Sequence, residues 1–143
     1  MRVFLDANIL FSAADPESAT RRLLEAVAGR GAVVTSPHAW EEARRNLQQK
    51  RPAHLKGLKD IPRYVEVTSA FAEAPAVGLP DCDIPILSGA IGAECTYLWT
   101  SDKQHFGKFY GKSVGGVRIV SSVALADELL KQGRIDSRGS LLP

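Results

Sequence analysis

The sequence predicts an α/β fold: a three-layer α/β/α domain around a central, mostly parallel sheet of five strands. Three observations lead there. Short apolar runs of strand length alternate with segments of helical period along the whole chain. Strands separated by helices make βαβ units, which build parallel sheets covered on both faces. The 143 residues, 45% of them hydrophobic, suit one domain with a real core.

The first strand is expected at Val3–Leu5. A helix follows over Glu17–Ala28, with Ala19, Leu23, Leu24 and Val27 on one side and Gly29 ending it. Ala32–Thr35 reads as the second strand. Ser36-Pro37 then supplies an N-cap and a proline at the first helical position. The helix they open runs to about Lys50 and turns Trp40, Ala43 and Leu47 to the core. Pro52–Lys59 suggests a short helix and Tyr64–Val67 a third strand. Ala74–Cys82, with its prolines and glycine, reads as a loop. Ile86, Leu87, Ala90 and Ile91 mark a buried helix starting near Asp83. Tyr97–Thr100 and Val117–Val120 complete the strands, and Val123–Gln132 is the last helix. The domain is expected to span residues 1–132. The tail from Gly133 to Pro143, polar and then apolar, is expected to fray.

Eighteen Lys and Arg against sixteen Asp and Glu leave a net charge of +2, too small to establish a polyanion partner. The two cysteines, Cys82 and Cys95, form no CxxC pair or Cys/His cluster, so no zinc site is expected and both read as reduced, mostly buried thiols. The N-terminus meets an acid at Asp6, without the apolar run of a signal peptide. No apolar stretch reaches 18 residues, so no membrane span is expected. A cytoplasmic location is the reading that follows.

Right-handed crossovers place the carboxyl ends of parallel strands along one edge, where ligands bind in such sheets. Asp6 directly follows the first strand and Asp102 follows the fourth. Glu42 lies about two turns into the helix after the second strand, and Asp83 starts the helix before the fourth. Each acid has an ordinary explanation as a helix cap or a solvated residue. Four reaching one rim from distant stretches point elsewhere, because clustered carboxylates repel unless a cation offsets them. Hard ions such as Mg²⁺ and Mn²⁺ take oxygen ligands and serve phosphodiester hydrolysis. Glu41 neighbours Glu42, and Asp81 neighbours Asp83; helical periodicity does not choose within the glutamate pair.

Four segments in this order resemble the PIN-domain family, of the VapC-like ribonuclease kind, over nearly the whole chain. They are Val3-Phe4-Leu5-Asp6-Ala7-Asn8-Ile9-Leu10; Thr35 to Ala43 with its helical Glu42; Asp83-Ile84-Pro85-Ile86-Leu87-Ser88-Gly89-Ala90; and Tyr97 to Phe106 with its Thr-Ser-Asp. The resemblance implies a PIN-like fold and an endoribonuclease dependent on Mg²⁺ or Mn²⁺. It implies Asp6, Glu42, Asp83 and Asp102 as metal-holding catalytic acids, preferring Glu42 over Glu41 and Asp83 over Asp81. Asn8 would brace the first acid or a water, and Thr100 or Ser101 would position Asp102 or the substrate. Many small members are toxins whose antitoxin protein fills the active-site groove, and homodimers are common. Those partners are implied by the resemblance alone.

Between Arg44 and Arg63 stand seven basic residues against the single acid Asp60. Arg44, Arg45, Lys50 and Arg51, joined by Lys103 beside Asp102, are candidates for holding RNA phosphates. Gly107-Lys108-Phe109-Tyr110-Gly111-Lys112-Ser113 fails as a phosphate-binding loop, since position 106 is Phe106 and a strand follows. An aspartate-nucleophile phosphatase would need an acid where Asn8 stands. A receiver domain would need a lysine after the fifth strand, where Ser121-Ser122 stand. The remaining alternative is a PIN-like module that binds RNA or protein without cutting.

Overall fold

The computed structural model describes residues 1–133; the rest of the expected tail, 134–143, lies outside the described residues. In chain order the strands are β1 (Arg2–Leu5), β2 (Ala32–Thr35), β3 (Glu66–Val67), β4 (Tyr97–Trp99), β5 (Ser113–Val114) and β6 (Val117–Val120). The helices are α1 (Ala7–Ala13), α2 (Ala19–Ala28), α3 (Pro37–Lys50), α4 (Leu55–Leu58), α5 (Ile84–Gly92), α6 (Lys103–Phe106) and α7 (Ser122–Lys131). The fold class is α/β, as expected, with six strands in place of the five read from the sequence. The sixth is β5, a two-residue strand antiparallel to β6. It exists because Gly115 and Gly116, both with positive φ (59° and 84°), close a tight reversal that other residues resist.

Strand order is β3-β2-β1-β4-β6-β5, and every pair except β5–β6 is parallel. The chain builds outward from β1 to β2 and β3, then returns to place β4 on the other side of β1. The order thus reverses between β1 and β4, and the carboxyl ends of those two strands flank the crevice where such sheets bind ligands. Phe4, Leu5, Leu98 and Trp99 of these strands are wholly buried, as expected where helices cover both faces. The Trp99 indole N–H keeps its bond by donating to Ser122 Oγ at 2.8 Å.

The helix starts follow local chemistry. Ser18, Ser36 and Ser121 accept backbone N–H bonds at the starts of α2, α3 and α7. On α2, Leu23, Leu24 and Val27 are buried as expected, but Ala19 is exposed and Arg21 is buried in its place. The Arg21 guanidinium donates to Ala13 O (2.7 Å) and Gly57 O (2.9 Å), which places a cation at the carboxyl end of α1. On α3, Ala43 and Leu47 are buried, while Trp40 is only partly so. The third strand is shorter than Tyr64–Val67, because Tyr64 belongs to a turn of 3₁₀ character that ends against it. Cys95 is buried as expected, whereas Cys82 is exposed, since it sits in the turn before α5 and not on the helix's buried side. Among the described residues no helix is long and apolar enough to cross a membrane.

Candidate metal centre

Asp6 ends β1 and caps α1. Its Oδ1 accepts the Ala7 N–H at 2.7 Å, and its Oδ2 accepts the Thr100 hydroxyl at 2.8 Å and the Asn8 amide at 3.1 Å. Thr100, at the end of β4, also accepts the Asp102 N–H at 3.1 Å, and Asn8 Oδ1 accepts the Ser101 N–H at 2.9 Å. The ends of the two central strands are therefore laced together by Asn8 and Thr100. Of the three expected supports, Asn8 and Thr100 bond Asp6, Thr100 also accepts from the Asp102 backbone, and Ser101 contributes its backbone N–H to Asn8. Tyr110 adds a bond from its hydroxyl to Thr100 O at 2.9 Å.

Asp102 caps α6 by accepting the His105 N–H at 3.1 Å. Asp83 stands at the cap position of α5 but makes no capping bond with its side chain. Capping explains part of what Asp6 and Asp102 do and none of what the Asp83 carboxylate does. Glu42 is half-buried on α3, while Glu41 points to solvent and pairs with Arg44 at 2.6 Å.

A cavity of about 440 Å³ opens at this edge, lined by Asp6, Asn8, Glu42, Asp83, Ser101 and Asp102. Glu41 and Asp81 do not line it. Of the expected RNA-binding residues, Lys50 borders the cavity. Arg44 lines a separate hollow with Trp40, Leu55 and Leu58. Arg45, Arg51 and Lys103 are exposed and border neither hollow.

Asn46, Cys82 and His105 also line the cavity; of these, His105 is the one whose nearness to Asp102 the sequence already suggested. His105 is one helical turn beyond Asp102, a spacing that brings side chains together. Its Nδ1 lies 2.7 Å from Asp83 Oδ2 and 2.9 Å from Asp102 Oδ2. One ring N–H cannot point along both directions, and neither approach has hydrogen-bond alignment. Asp83 Oδ2 and His105 Nδ1 are accordingly buried polar atoms without a hydrogen-bond partner. Native structures rarely leave such atoms unpaired, and a missing ion is one reason they do.

Burial pushes the Asp6 carboxyl up to about 6; its bonds from Thr100 and Ala7 oppose this, and the charges of Asp83 and Glu42 add to it. Asp83 is raised as well, chiefly by burial, with His105 opposing and Asp102 adding. Carboxylates that resist ionising together are donors whose repulsion a hard divalent cation would offset; among the described residues, however, the group whose ligand atoms all lie within 4.8 Å of one another is Cys82, Asp83 and His105, not a trio of these acids.

The Asp6 value fixes a stability sign. Its folded pKa lies above the ordinary 3.8, so its favourable contribution is complete below pH 4 and lost as pH rises to 6. The loss is on the order of 3 kcal/mol in metal-free protein. Urea unfolding in chelator at pH 4, 5, 6 and 7 is expected to show wild type losing that much relative to Asp6→Asn across the range. Parallel pH curves for the two proteins would contradict the burial argument.

No protein-family model and no curated protein matches the chain. Solved structures do. The chain is similar to one in the crystal structure of VapBC2 from Rickettsia felis bound to a DNA fragment from their promoter. The TM-score is 0.63 at 16% identity, over 85% of this chain and 98% of that one. It is also similar to a PilT N-terminus domain protein from the archaeon Sulfolobus solfataricus P2. There the TM-score is 0.54 at 15% identity, over 92% of this chain and 95% of that one.

Proposed function

We propose, for a chain that has the PIN-domain fold, that it is a metal-dependent endoribonuclease whose centre is built from Asp6, Glu42, Asp83 and Asp102. The observation that carries this reading is that all four carboxylates line one cavity, with Asp83 Oδ2 buried 2.7 Å from His105 Nδ1 without an aligned hydrogen bond. A bound Mg²⁺ or Mn²⁺ would supply an activated water and offset charge on a phosphoryl oxygen.

The chain's own residues do the positioning. Asp6 is held by donors from three residues, which leaves its orientation little freedom. Thr100 donates to Asp6 and accepts from the Asp102 backbone, so it fixes the distance between two of the acids. Glu42 lines the same cavity from α3. On this reading an RNA strand lies along the cavity, and Lys50 at its border meets the phosphates.

The test is cleavage of labelled single-stranded RNA by purified protein with Mg²⁺, with Mn²⁺ and with chelator. Cleavage is expected with either ion and absent in chelator. Equal cleavage in all three removes the metal from the reading, and no cleavage in any favours the binding-module alternative.

Among the basic residues the effect is expected to divide. Lys50→Glu weakens RNA binding and lowers the slope of log K against log salt by about one. Arg44→Glu leaves that slope nearly unchanged, because Arg44 is already paired with Glu41 outside the cavity. Equal slopes for the two variants, measured by fluorescence anisotropy, would count against Lys50. The likeness to a chain of VapBC2 supports an antitoxin protein as a partner of this chain.

A further inference from the structure

Cys82, Asp83 and His105 each offer one ligand atom, and these atoms lie within 4.8 Å of one another. The sequence hides this cluster, since Cys82 and His105 stand far apart in it and no familiar ligand spacing joins them. Two of its atoms, Asp83 Oδ2 and His105 Nδ1, are buried 2.7 Å apart without an aligned hydrogen bond, and Asp83 itself is only 8% exposed. The thiol comes from the exposed turn before α5 and already interacts with the Asp83 carboxylate.

We propose that Cys82, Asp83 and His105 form a second metal site that takes Zn²⁺, and that filling it engages Asp83 and shuts off the acid centre. The effect on activity rests on the ribonuclease reading; the site itself does not.

The donor set decides the ion. Mg²⁺ wants oxygen ligands in octahedral geometry and has little affinity for sulfur or imidazole nitrogen. Zn²⁺ accepts thiolate, imidazole and carboxylate together, and commonly uses three protein ligands with water at the fourth position. Bond lengths of about 2.0–2.3 Å at tetrahedral angles put ligand atoms about 3.3–3.6 Å apart. The cluster spans 4.8 Å at most, so rotation of the exposed Cys82 side chain closes it. Asp83 and His105 need to part by less than an ångström from their 2.7 Å approach, on the order of the adjustment any ligand set makes. Binding releases the thiol proton to solvent and forms a zinc–sulfur bond, with no oxidation or reduction.

Asp83 is shared between the two sites. With its Oδ2 committed to Zn²⁺ beside sulfur and nitrogen, the acid centre loses one of its four carboxylates. Zn²⁺ is thus an inhibitor of the Mg²⁺-supported reaction, acting through a residue that the acid centre also needs.

Cobalt(II) reports the ligands directly. Titration of wild-type protein with Co²⁺ is expected to give a sulfur-to-cobalt charge-transfer band that saturates at one equivalent and disappears when Zn²⁺ is added. Cys82→Ser is expected to abolish the band, while Cys95, buried beside Arg2, gives none. His105→Ala is expected to weaken Co²⁺ binding by more than about tenfold, since even indirect supports of metal ligands cost that much. In RNA cleavage with Mg²⁺, with each protein measured against its own zinc-free rate, Zn²⁺ is expected to inhibit wild type and spare Cys82→Ser. Absence of the band from wild type, or its persistence in Cys82→Ser, overturns the site. Equal inhibition of both proteins by Zn²⁺ overturns its control of the reaction. If the band behaves as expected but no ion supports RNA cleavage, the zinc site stands and the ribonuclease reading fails.

Discussion

Asp6→Asn is expected to lower metal-supported RNA cleavage on the order of a thousandfold, equivalent to about 4 kcal/mol of transition-state stabilisation. Asp6 is the acid most firmly placed, with Ala7, Asn8 and Thr100 all donating to it. An asparagine keeps the shape, loses the charge and turns an NH₂ toward one of those donors. In chelator at neutral pH the change is expected to leave the melting temperature within a few degrees of wild type. Removing a carboxylate that burial disfavours is stabilising, and leaving one donor mispaired costs about 1–3 kcal/mol. The pairing of lost activity with retained stability separates a chemical role from a structural one. Near-wild-type cleavage rates would take Asp6 out of the metal centre.

Gly57→Ala is expected to destabilise the protein by about 3 kcal/mol or more, from overpacking against a part that cannot yield. A Cβ at position 57 would run into the carbonyl oxygen of Ala14, which is backbone and not a movable side-chain end. α4 would have to lift from the end of α1, and the Arg21 bonds to Ala13 O and Gly57 O would stretch with it. A fall of roughly 10 °C in melting temperature is expected. Because Asp6 caps α1, cleavage should suffer too. Gly107→Ala serves as the control: its Cβ would meet only the Lys103 Cβ at 3.8 Å, an ordinary contact. Similar melting temperatures for the two variants would show that α1 and α4 can separate without cost.

The elements that were legible in the sequence carry strong local signals. Ser36-Pro37 sets the start of α3, and the β-branched pairs Val33-Val34 and Ile119-Val120 set their strands where expected. The elements that were not legible are short. α1 has seven residues, α6 four and β5 two. In α1 a signal was present, since Ile9, Leu10 and Ala13 fall on one buried side behind a capping Asp6. In α6 it was weaker, for a single buried Phe106 defines no period.

The acids were legible as positions and not as neighbours. Periodicity left Glu41 and Glu42 equal; the Arg44 ion pair and the line of the cavity wall distinguish them. The approach of His105 to Asp83 depends on how α6 leaves β4 relative to α5, a tertiary relation that no local pattern encodes. The same holds for Cys82, whose exposure follows from the turn that carries it.

The two outer strands, β3 and β5, are each only two residues long, and β5 turns back antiparallel on its neighbour. A sheet grows by edge-on addition when its rim offers a long row of unpaired N–H and C=O groups to another molecule. Here that row is cut to two residues on either side, too few to template a register. Among the described residues the folded form therefore offers little purchase for fibre-like, edge-on stacking even at high concentration.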